Sequence, residues 1–146
     1  MSNVLKEIAS AFQLASLHQL TELILSCYHI PEDSKRVVLN FKVSSFYTER
    51  CGIQPVEIQL ERATPDSPWE LRFIATFDYP DEEADSVDVA LYFNFKYRWF
   101  YQPDIERCEL FRPEVIALFI AWLKAFIGHL QDNQFDTQTL TVVSRF

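Results

Sequence analysis

The segment from Val87 to Tyr101 places an apolar or aromatic side chain at every second position, and this pattern restricts the fold more than any other feature of the sequence. Alternation with a period of two is typical of a β-strand with one buried face. At about 3.3 Å per residue the segment would be roughly 50 Å long, which exceeds most strands. We therefore expect either one bent strand or two strands. One face would carry Val87, Val89, Leu91, Phe93, Phe95, Tyr97, Trp99 and Tyr101.

Three shorter segments with the same periodicity precede it. Residues 37–43 alternate, and residues 55–62 place Val56, Ile58 and Leu60 on one face. The turn-forming residues 64–68 join this second segment to a third as a hairpin. Burial of one face only predicts an antiparallel sheet. In the third segment the expected inward side chains are Trp69, Leu71, Phe73, Ala75, Phe77 and Tyr79.

Helical periodicity is confined to the two ends of this strand-rich region. Residues 4–28 have helical spacing, either as one helix or as two with a break near Ser16, and Pro31 ends them. Pro113 suits the first turn of a second helix. Because the strands form a run and do not alternate with helices, we predict an α+β fold. A twisted antiparallel sheet would be packed by an N-terminal and a C-terminal helix.

The length of 146 residues is typical of one domain, so we expect a single domain over residues 1–146. Its expected parts are a helical N-terminus at 1–30, the antiparallel sheet at 36–101, a helix at 112–131 and a terminal strand at 137–143.

The net charge of −8, from 21 acidic and 13 basic residues, bears on partners and location. It repels nucleic acid and anionic lipid, so we expect neither nucleic acid nor a membrane as a partner. Cys27, Cys51 and Cys108 are odd in number and widely spaced, which favours free thiols in a reducing compartment. The N-terminus lacks a signal-peptide pattern, and the apolar run at 115–123 is too short to span a bilayer. We therefore expect a cytoplasmic protein.

Motifs for catalysis and cofactor binding are absent from the sequence. There is no GxSxG nucleophile elbow and no HExxH motif. A pairing of Cys51 or Cys108 with His129 through folding is the catalytic arrangement that stays open. Inert thiols are the more frequent case, so we expect no enzyme, no catalytic residues and no cofactor.

An acidic loop follows the third strand segment and could serve either as a metal site or as a docking surface. Asp81, Glu83 and Asp85 have the alternate spacing of calcium ligands, but Ser86 and Tyr92 stand where glycine and a closing glutamate are required. We therefore expect no metal. The alternatives are a solvated loop and an acidic surface for a basic partner.

The loop at 46–54 and the end of the aromatic alternation are further candidates for contacts. The loop is long for a connection between strands, and its side chains are diverse. The aromatic segment is either core or, where it overhangs the sheet, an exposed patch. Stacking of nucleic-acid bases is disfavoured because Lys96 and Arg98 fall on the opposite parity from the aromatics. The candidate interaction surface is Tyr47, Glu49, Arg50, Asp81, Glu82, Glu83, Tyr97, Trp99 and Tyr101.

Small side chains form one face of the C-terminal helix. Ala117, Ala121 and Ala125 recur every four residues and would let another helix approach closely. That helix is either the N-terminal helix of the same chain or the same helix in a second subunit.

The region from Leu39 to Glu61 resembles a known family. It contains Leu39-Asn40-Phe41-Lys42, then Tyr47 and Glu49, then Gly52, then Gln54-Pro55-Val56-Glu57-Ile58. These residues are similar to those of a family of small gammaproteobacterial proteins that is known only as a domain of unknown function, DUF 2787. Members occur on chromosomes and on mobile or pathogenicity islands. The likeness covers about residues 36–143.

The resemblance implies a fold like that of the mitochondrial acidic matrix proteins, which include the receptor for the globular heads of complement C1q. Those proteins are acidic, non-enzymatic binders of other proteins and often assemble into rings or dimers. The resemblance supplies no catalytic residues. The terminal strand after the last helix departs from their pattern. This departure affects the expected mode of assembly more than the expected sheet.

We hypothesise that the chain is a non-enzymatic protein-interaction module that self-associates and has a protein partner. One alternative is a small-ligand-binding domain with an aromatic-lined cavity between the sheet and a helix. Another is an enzyme whose titratable groups come together only in the folded chain.

Overall fold

The computed structural model describes the backbone of residues 14–146 and the side chains from residue 20 onward. The first helix, α1, continues through Ser16, and the predicted helical residues before Leu14 lie outside the described residues. The elements in chain order are α1 (Leu14–Cys27), β1 (Ser34–Lys42), α2 (Ser44–Glu49), β2 (Val56–Glu61), β3 (Glu70–Asp78), β4 (Asp88–Asn94), β5 (Trp99–Gln102), β6 (Glu106–Glu109), α3 (Pro113–Gln131) and β7 (Thr137–Arg145).

The seven strands form one antiparallel sheet in the order β6-β5-β4-β3-β2-β1-β7. Strands β1 to β6 pair each with the next in the chain, so the sheet grows by hairpin-like steps. The terminal strand β7 returns after α3 and pairs with β1. The predicted α+β class with an antiparallel sheet and flanking helices is therefore confirmed.

The hydrophobic core lies between one face of this sheet and the helices. Leu20 and Ile24 of α1 belong to the same buried cluster as Phe119 and Phe126 of α3. The strands contribute Val37, Leu39, Phe41, Val56, Ile58, Leu60, Ile74, Phe93 and Phe100. Helices α1 and α3 thus cover the same face of the sheet. Within residues 14–146 no helix covers the other face, which we call the open face.

Helix α3 packs with a stripe of side chains that recurs at helical spacing, and its buried residues are Val115, Ile116, Phe119, Leu123 and Phe126. By length and composition α3 would also be apolar enough to cross a membrane. A helix that packs its apolar stripe on a sheet meets the same criterion. Ala117, Ala121 and Ala125 are exposed, so the described part of α1 does not cover them.

The long alternation at 87–101 forms two strands, β4 and β5, which was one of the two expected arrangements. The connecting residues turn the chain back, and Arg98 has a left-handed φ of 63°. The prediction that one parity faces one side throughout was wrong. Tyr92 pairs with Tyr101 and Phe93 pairs with Phe100, so opposite parities share a face across this turn. Phe93 and Phe100 are buried, whereas Trp99 and Tyr101 lie on the open face.

The inward face of β3 also differs from the prediction. Gln59 pairs with Phe73 but Leu60 pairs with Leu71, so a bulge at Arg72 inserts one residue. Past the bulge the parity is reversed, because one extra residue moves the following side chains to the other face. Ile74 is therefore fully buried in the core, while Phe73 lies on the open face beside Tyr92.

Two short elements were missed from the sequence. Residues 46–54 were expected to be loop, but α2 occupies Ser44–Glu49. The four-residue strand β6 extends the sheet beyond β5. Both are too short to show a period, so tertiary contacts decide them.

Candidate interaction surface

Three connections of the chain meet at the same end of the sheet. They are the β1–β2 connection with α2, the β3–β4 loop and the β5–β6 turn. In a sheet of sequential antiparallel strands, every second connection lies at the same end of the strands. We call this region the acidic end. Its carboxylates include Glu49, Asp78, Asp81, Glu82, Glu83, Asp85, Asp88 and Asp104.

Arg50 joins α2 to the acidic loop. It ends α2 with a left-handed φ of 58°, and its amide donates to the carbonyl of Phe46 at 2.8 Å. Its guanidinium donates from Nη1 to the carbonyl oxygen of Glu82 at 3.2 Å and lies 4.1 Å from the centre of the Tyr79 ring. Tyr79 in turn stacks on buried Phe46 at 5.9 Å. These contacts place the loop against α2 while leaving its carboxylates in solvent.

A groove of about 480 Å³ opens beside the loop at the ends of β3, β4 and β5. Its polar lining includes the aspartates Asp78, Asp88 and Asp104, and Tyr79 and Tyr101 supply aromatic walls. The Gln54 side chain donates to Asp78 Oδ2 at 3.1 Å and so fixes one wall. Within residues 14–146 no carboxylate of the acidic end forms a salt bridge.

Asp136, just before β7, holds the start of α2. Its carboxylate accepts from the Ser44 amide at 3.0 and 3.1 Å and from the Ser44 hydroxyl at 3.0 Å. Val43, at the N-cap position, offers no side-chain cap. Asp136 therefore caps α2 from 92 residues away in the chain. The hydrogen bond from the Ser44 backbone is the main cause that lowers the pKa of Asp136.

Replacing Asp136 with alanine is expected to loosen α2 and the Arg50 contact that depends on it. The Ser44 amide would lose its acceptor, as at any helix that loses its N-cap. We expect protection of the α2 amides against hydrogen exchange to fall roughly tenfold, with sheet protection unchanged. Asp132→Ala, at the end of α3, is the control. Equal protection of α2 in wild type and Asp136→Ala would contradict the capping role.

The structure separates the predicted surface residues into three places. Tyr47, Glu49, Arg50, Asp81, Glu82, Glu83 and Tyr101 lie at the acidic end. Trp99 lies on the open face, and Tyr97 lies in the β4–β5 turn at the opposite end of the sheet, where it is 63% exposed. Asp104 and Asp136 were not among the predicted site residues, and the only local signal near them was Pro103, next to Asp104.

The open face carries a row of stacked aromatic side chains. Phe73 stacks on Tyr92 at 5.1 Å, and Tyr92 stacks on Trp99 at 4.9 Å. The Arg107 guanidinium covers the far side of Trp99 at 4.6 Å. Lys96, which parity alone placed away from the aromatics, reaches Glu61 on the open face at 3.1 Å, so for Lys96 that reason against base stacking does not hold. Since the rings stack on one another, their faces are already occupied, and nucleic acid stays an unexpected partner.

Neither a metal cluster nor a large interior cavity is found among the described residues. No group of three or more His, Cys, Asp or Glu side chains is arranged to hold a metal ion there. Two apolar pockets at the helix–sheet boundary hold about 240 and 210 Å³. His129 lines the first of them, and its ring packs edge-on against Phe135 at 6.4 Å.

Comparison with known proteins identifies a family and a fold. The family described as "Protein of unknown function (DUF2787)" matches residues 15–140. A search of curated proteins finds no match.

Two solved structures from Vibrio cholerae resemble the chain. The conserved hypothetical protein VC1805, from pathogenicity island VPI-2, is 28% identical with a TM-score of 0.72, covering 86% of this chain and 92% of its own. Its structure is described as sharing structural homology with the human P32 protein. The hypothetical protein VC0508, from the VSP-II island, is 19% identical with a TM-score of 0.74, covering 86% and 89%.

Proposed function

Because this chain belongs to the DUF2787 family, for which no function is described, we propose from its geometry that it is a non-enzymatic protein-interaction module. In this proposal it self-associates, and it binds a basic segment of a partner protein at the acidic end. It acts in the cytoplasm, as the cysteine pattern predicts.

One observation carries the proposal, namely that carboxylates without a salt bridge among residues 14–146 meet aromatic walls in one groove. The groove of about 480 Å³ lies within the range of volumes typical of binding sites. Lysine and arginine side chains would pair with Asp78, Asp88 and Asp104, while their aliphatic stems would lie on Tyr101. The loop carboxylates add a negative field that speeds encounter with a basic partner.

The fold supports the same proposal. VC1805 shares structural homology with human P32, and the resemblance to the acidic matrix proteins implies binding of other proteins without catalysis. The net charge of −8 agrees with that class.

The small-ligand alternative has less support in the described residues. Ligand pockets usually enclose about 300–1,000 Å³. The helix–sheet pockets hold about 240 and 210 Å³, and phenylalanine rings fill the space between α3 and the sheet. A further pocket of about 510 Å³ has Glu32, Arg62 and Asp66 in its lining, so it is not the aromatic-lined cavity of this alternative.

Charge reversal in the acidic loop tests the proposal. In the variant Asp81→Lys/Glu82→Lys/Glu83→Lys, binding of a fluorescent oligolysine peptide is expected to weaken roughly tenfold at low salt, since each exposed pair contributes up to about 1 kcal/mol. The loss should shrink as salt screens the charges. Fluorescence anisotropy measures the affinity, and capture of partners from host lysate is compared in parallel.

The matched control is Asp66→Lys/Glu70→Lys/Glu114→Lys. These three residues are exposed and lie away from the acidic end. Both variants change the net charge from −8 to −2, through three reversals of two charges each. Equal weakening in both variants would mean that only the overall charge matters, and the acidic end would lose its assigned role.

A further inference from the structure

The two edges of the sheet differ in a way that bears on self-association. The edge strand β6 has four residues, of which Glu106, Arg107 and Glu109 are charged, and Glu106 has a left-handed φ of 64°. Short length, charge and irregular backbone are the features by which proteins keep edge strands from pairing with other chains. The β6 edge is thus protected.

The opposite edge strand, β7, has none of these features along most of its length. It runs for nine residues, Thr137–Arg145, and its first charged residue is Arg145. No proline or glycine interrupts it, and its pairing with β1 is regular from Thr137 to Val142 before a bulge at Val143. Within residues 14–146 no strand pairs with its outer edge. A long, uncharged, β-prone edge is a template for strand addition.

We propose that β7 pairs antiparallel with β7 of a second copy, which joins the two sheets into one continuous sheet across a two-fold axis near Leu140. This inference rests on the proposed self-association and names its surface. An antiparallel strand pair of identical sequence is self-complementary, as an isologous interface requires.

The side chains of β7 fit a second copy on both faces of the sheet. Thr139 and Thr141 point to the open face, next to Asn40 and Val38 of β1. About a two-fold axis at Leu140 they would meet Thr141 and Thr139 of the other copy, and cross-strand threonine pairs are favourable. Leu140 and Val142 lie on the helix-covered face, beside Leu39 and Val37, so the core would continue across the axis.

Charge also favours a second copy at this edge. Two molecules with a net charge of −8 repel each other, most strongly where acidic residues face one another. The stretch 137–144 contains no acidic residue, so the copies approach along an uncharged edge. The exposed alanines of α3 offer a competing self-interface, but nothing in the described residues indicates what covers them.

The test compares two double variants that add the same charge. Thr139→Lys/Thr141→Lys places lysines opposite each other across the proposed axis, where like charges destabilise a strand pair. Ala117→Lys/Ala121→Lys adds the same two charges to the exposed face of α3. Light-scattering mass is measured for the full chain over a range of concentrations, with circular dichroism to verify folding. We expect a dimeric wild type, a halved mass for the β7 variant and an unchanged mass for the α3 variant.

Each other outcome overturns the inference in a distinguishable way. A wild type that is monomeric at every concentration would contradict self-association itself. Peptide binding at the acidic end would still be tested independently by the charge-reversal variants. A halved mass only for the α3 variant would keep self-association and move it to the alanine face. A dimer that survives both variants would place the interface elsewhere.

Cysteine cross-linking gives a second measurement that needs no charge. In a background with Cys27, Cys51 and Cys108 changed to serine, single cysteines are introduced at positions 139, 140 and 141 in turn. With a two-fold axis at Leu140, residue 140 lies directly opposite its own copy, whereas residues 139 and 141 lie two positions away from theirs and beyond disulfide reach. We expect a cross-linked dimer from Leu140→Cys and none from Thr139→Cys, Thr141→Cys or Ala117→Cys. A cross-link absent at position 140 would contradict pairing centred at Leu140.

Discussion

Replacing Phe93 with alanine is expected to lower the free energy of unfolding by about 3–5 kcal/mol, the range for a buried phenylalanine. Phe93 is fully buried in β4, an interior strand of the sheet. Its ring lies 5.0 Å from the Phe100 ring, 5.0 Å from the Phe119 ring and 6.4 Å from the Trp122 ring. The substitution would remove the contact between two strands and α3 and leave a cavity that this rigid aromatic cluster cannot close.

Urea denaturation of the two proteins measures this loss, provided that the slopes of the transitions agree. Tyr97→Ala is the matched control, since it also removes an aromatic ring from the same alternating segment. Tyr97 is 63% exposed in a turn, so its substitution should change stability by no more than about 0.5 kcal/mol. Similar losses for the two variants would show that the assignment of faces along 87–101 is wrong.

Replacing Glu61 with glutamine is expected to cost about 1–2 kcal/mol, between the values for exposed and buried ion pairs. The Glu61 carboxylate pairs with three cations: Arg72 at 2.7 Å, Arg36 at 3.0 Å and Lys96 at 3.1 Å. Its side chain is only 23% exposed, and that of Arg72 19%. Without the carboxylate, three positive charges on β1, β3 and the β4–β5 turn would repel one another across the open face.

The effect of Glu61 should depend on pH in a defined direction. Partial burial alone would raise the pKa of Glu61, but hydrogen bonds from Lys96 and Arg36 and the charges of both outweigh it and lower the pKa below its usual value of 4.5. A carboxylate with a lowered folded-state pKa contributes stability above its unfolded-state pKa and loses it as the pH falls. The difference in unfolding free energy between wild type and Glu61→Gln should therefore have its full value at neutral pH and should decrease as the pH falls below about 4.5.

An exposed ion pair provides the comparison for Glu61. Arg145 and Asp33 also form an ion pair, but their side chains are 53% and 57% exposed. Asp33→Asn should cost less than about 1 kcal/mol. Urea denaturation at a series of pH values measures both variants. A gap between wild type and Glu61→Gln that stays constant down to pH 3 would contradict the ion-pair explanation.

The long helices and strands could be predicted from local sequence pattern. The helix α3 begins at Pro113 as the proline indicated, strands β1 and β2 lie where the alternation placed them, and β7 covers the predicted terminal strand at 137–143. Periods of 3.6 and 2 over many residues reflect the burial of one face, which the sequence itself encodes. The resemblance around Pro55-Val56-Glu57-Ile58 also pointed to the family that matches residues 15–140.

The candidate surface was predictable only in part. The acidic loop and Arg50 were identified from composition, and the structure brings them together through the Glu82 carbonyl and the Tyr79 ring. Tyr97 and Trp99 were grouped with them, but the turn between β4 and β5 places Tyr97 at the other end of the sheet. Asp136 caps α2 across 92 positions, and no local pattern signals such a contact.

The sequence by itself determined the α+β class, the long elements and the acidic character, because each depends on residues close together in the chain. Only the tertiary structure decided which face each aromatic occupies, since the bulge at Arg72 and the turn before Trp99 each reverse the parity by one position. It also decided that β7, and not β6, is the long uncharged edge of the sheet. Strand order is a property of pairing between distant segments, and hydrophobic periodicity carries no information about which strand remains at the edge.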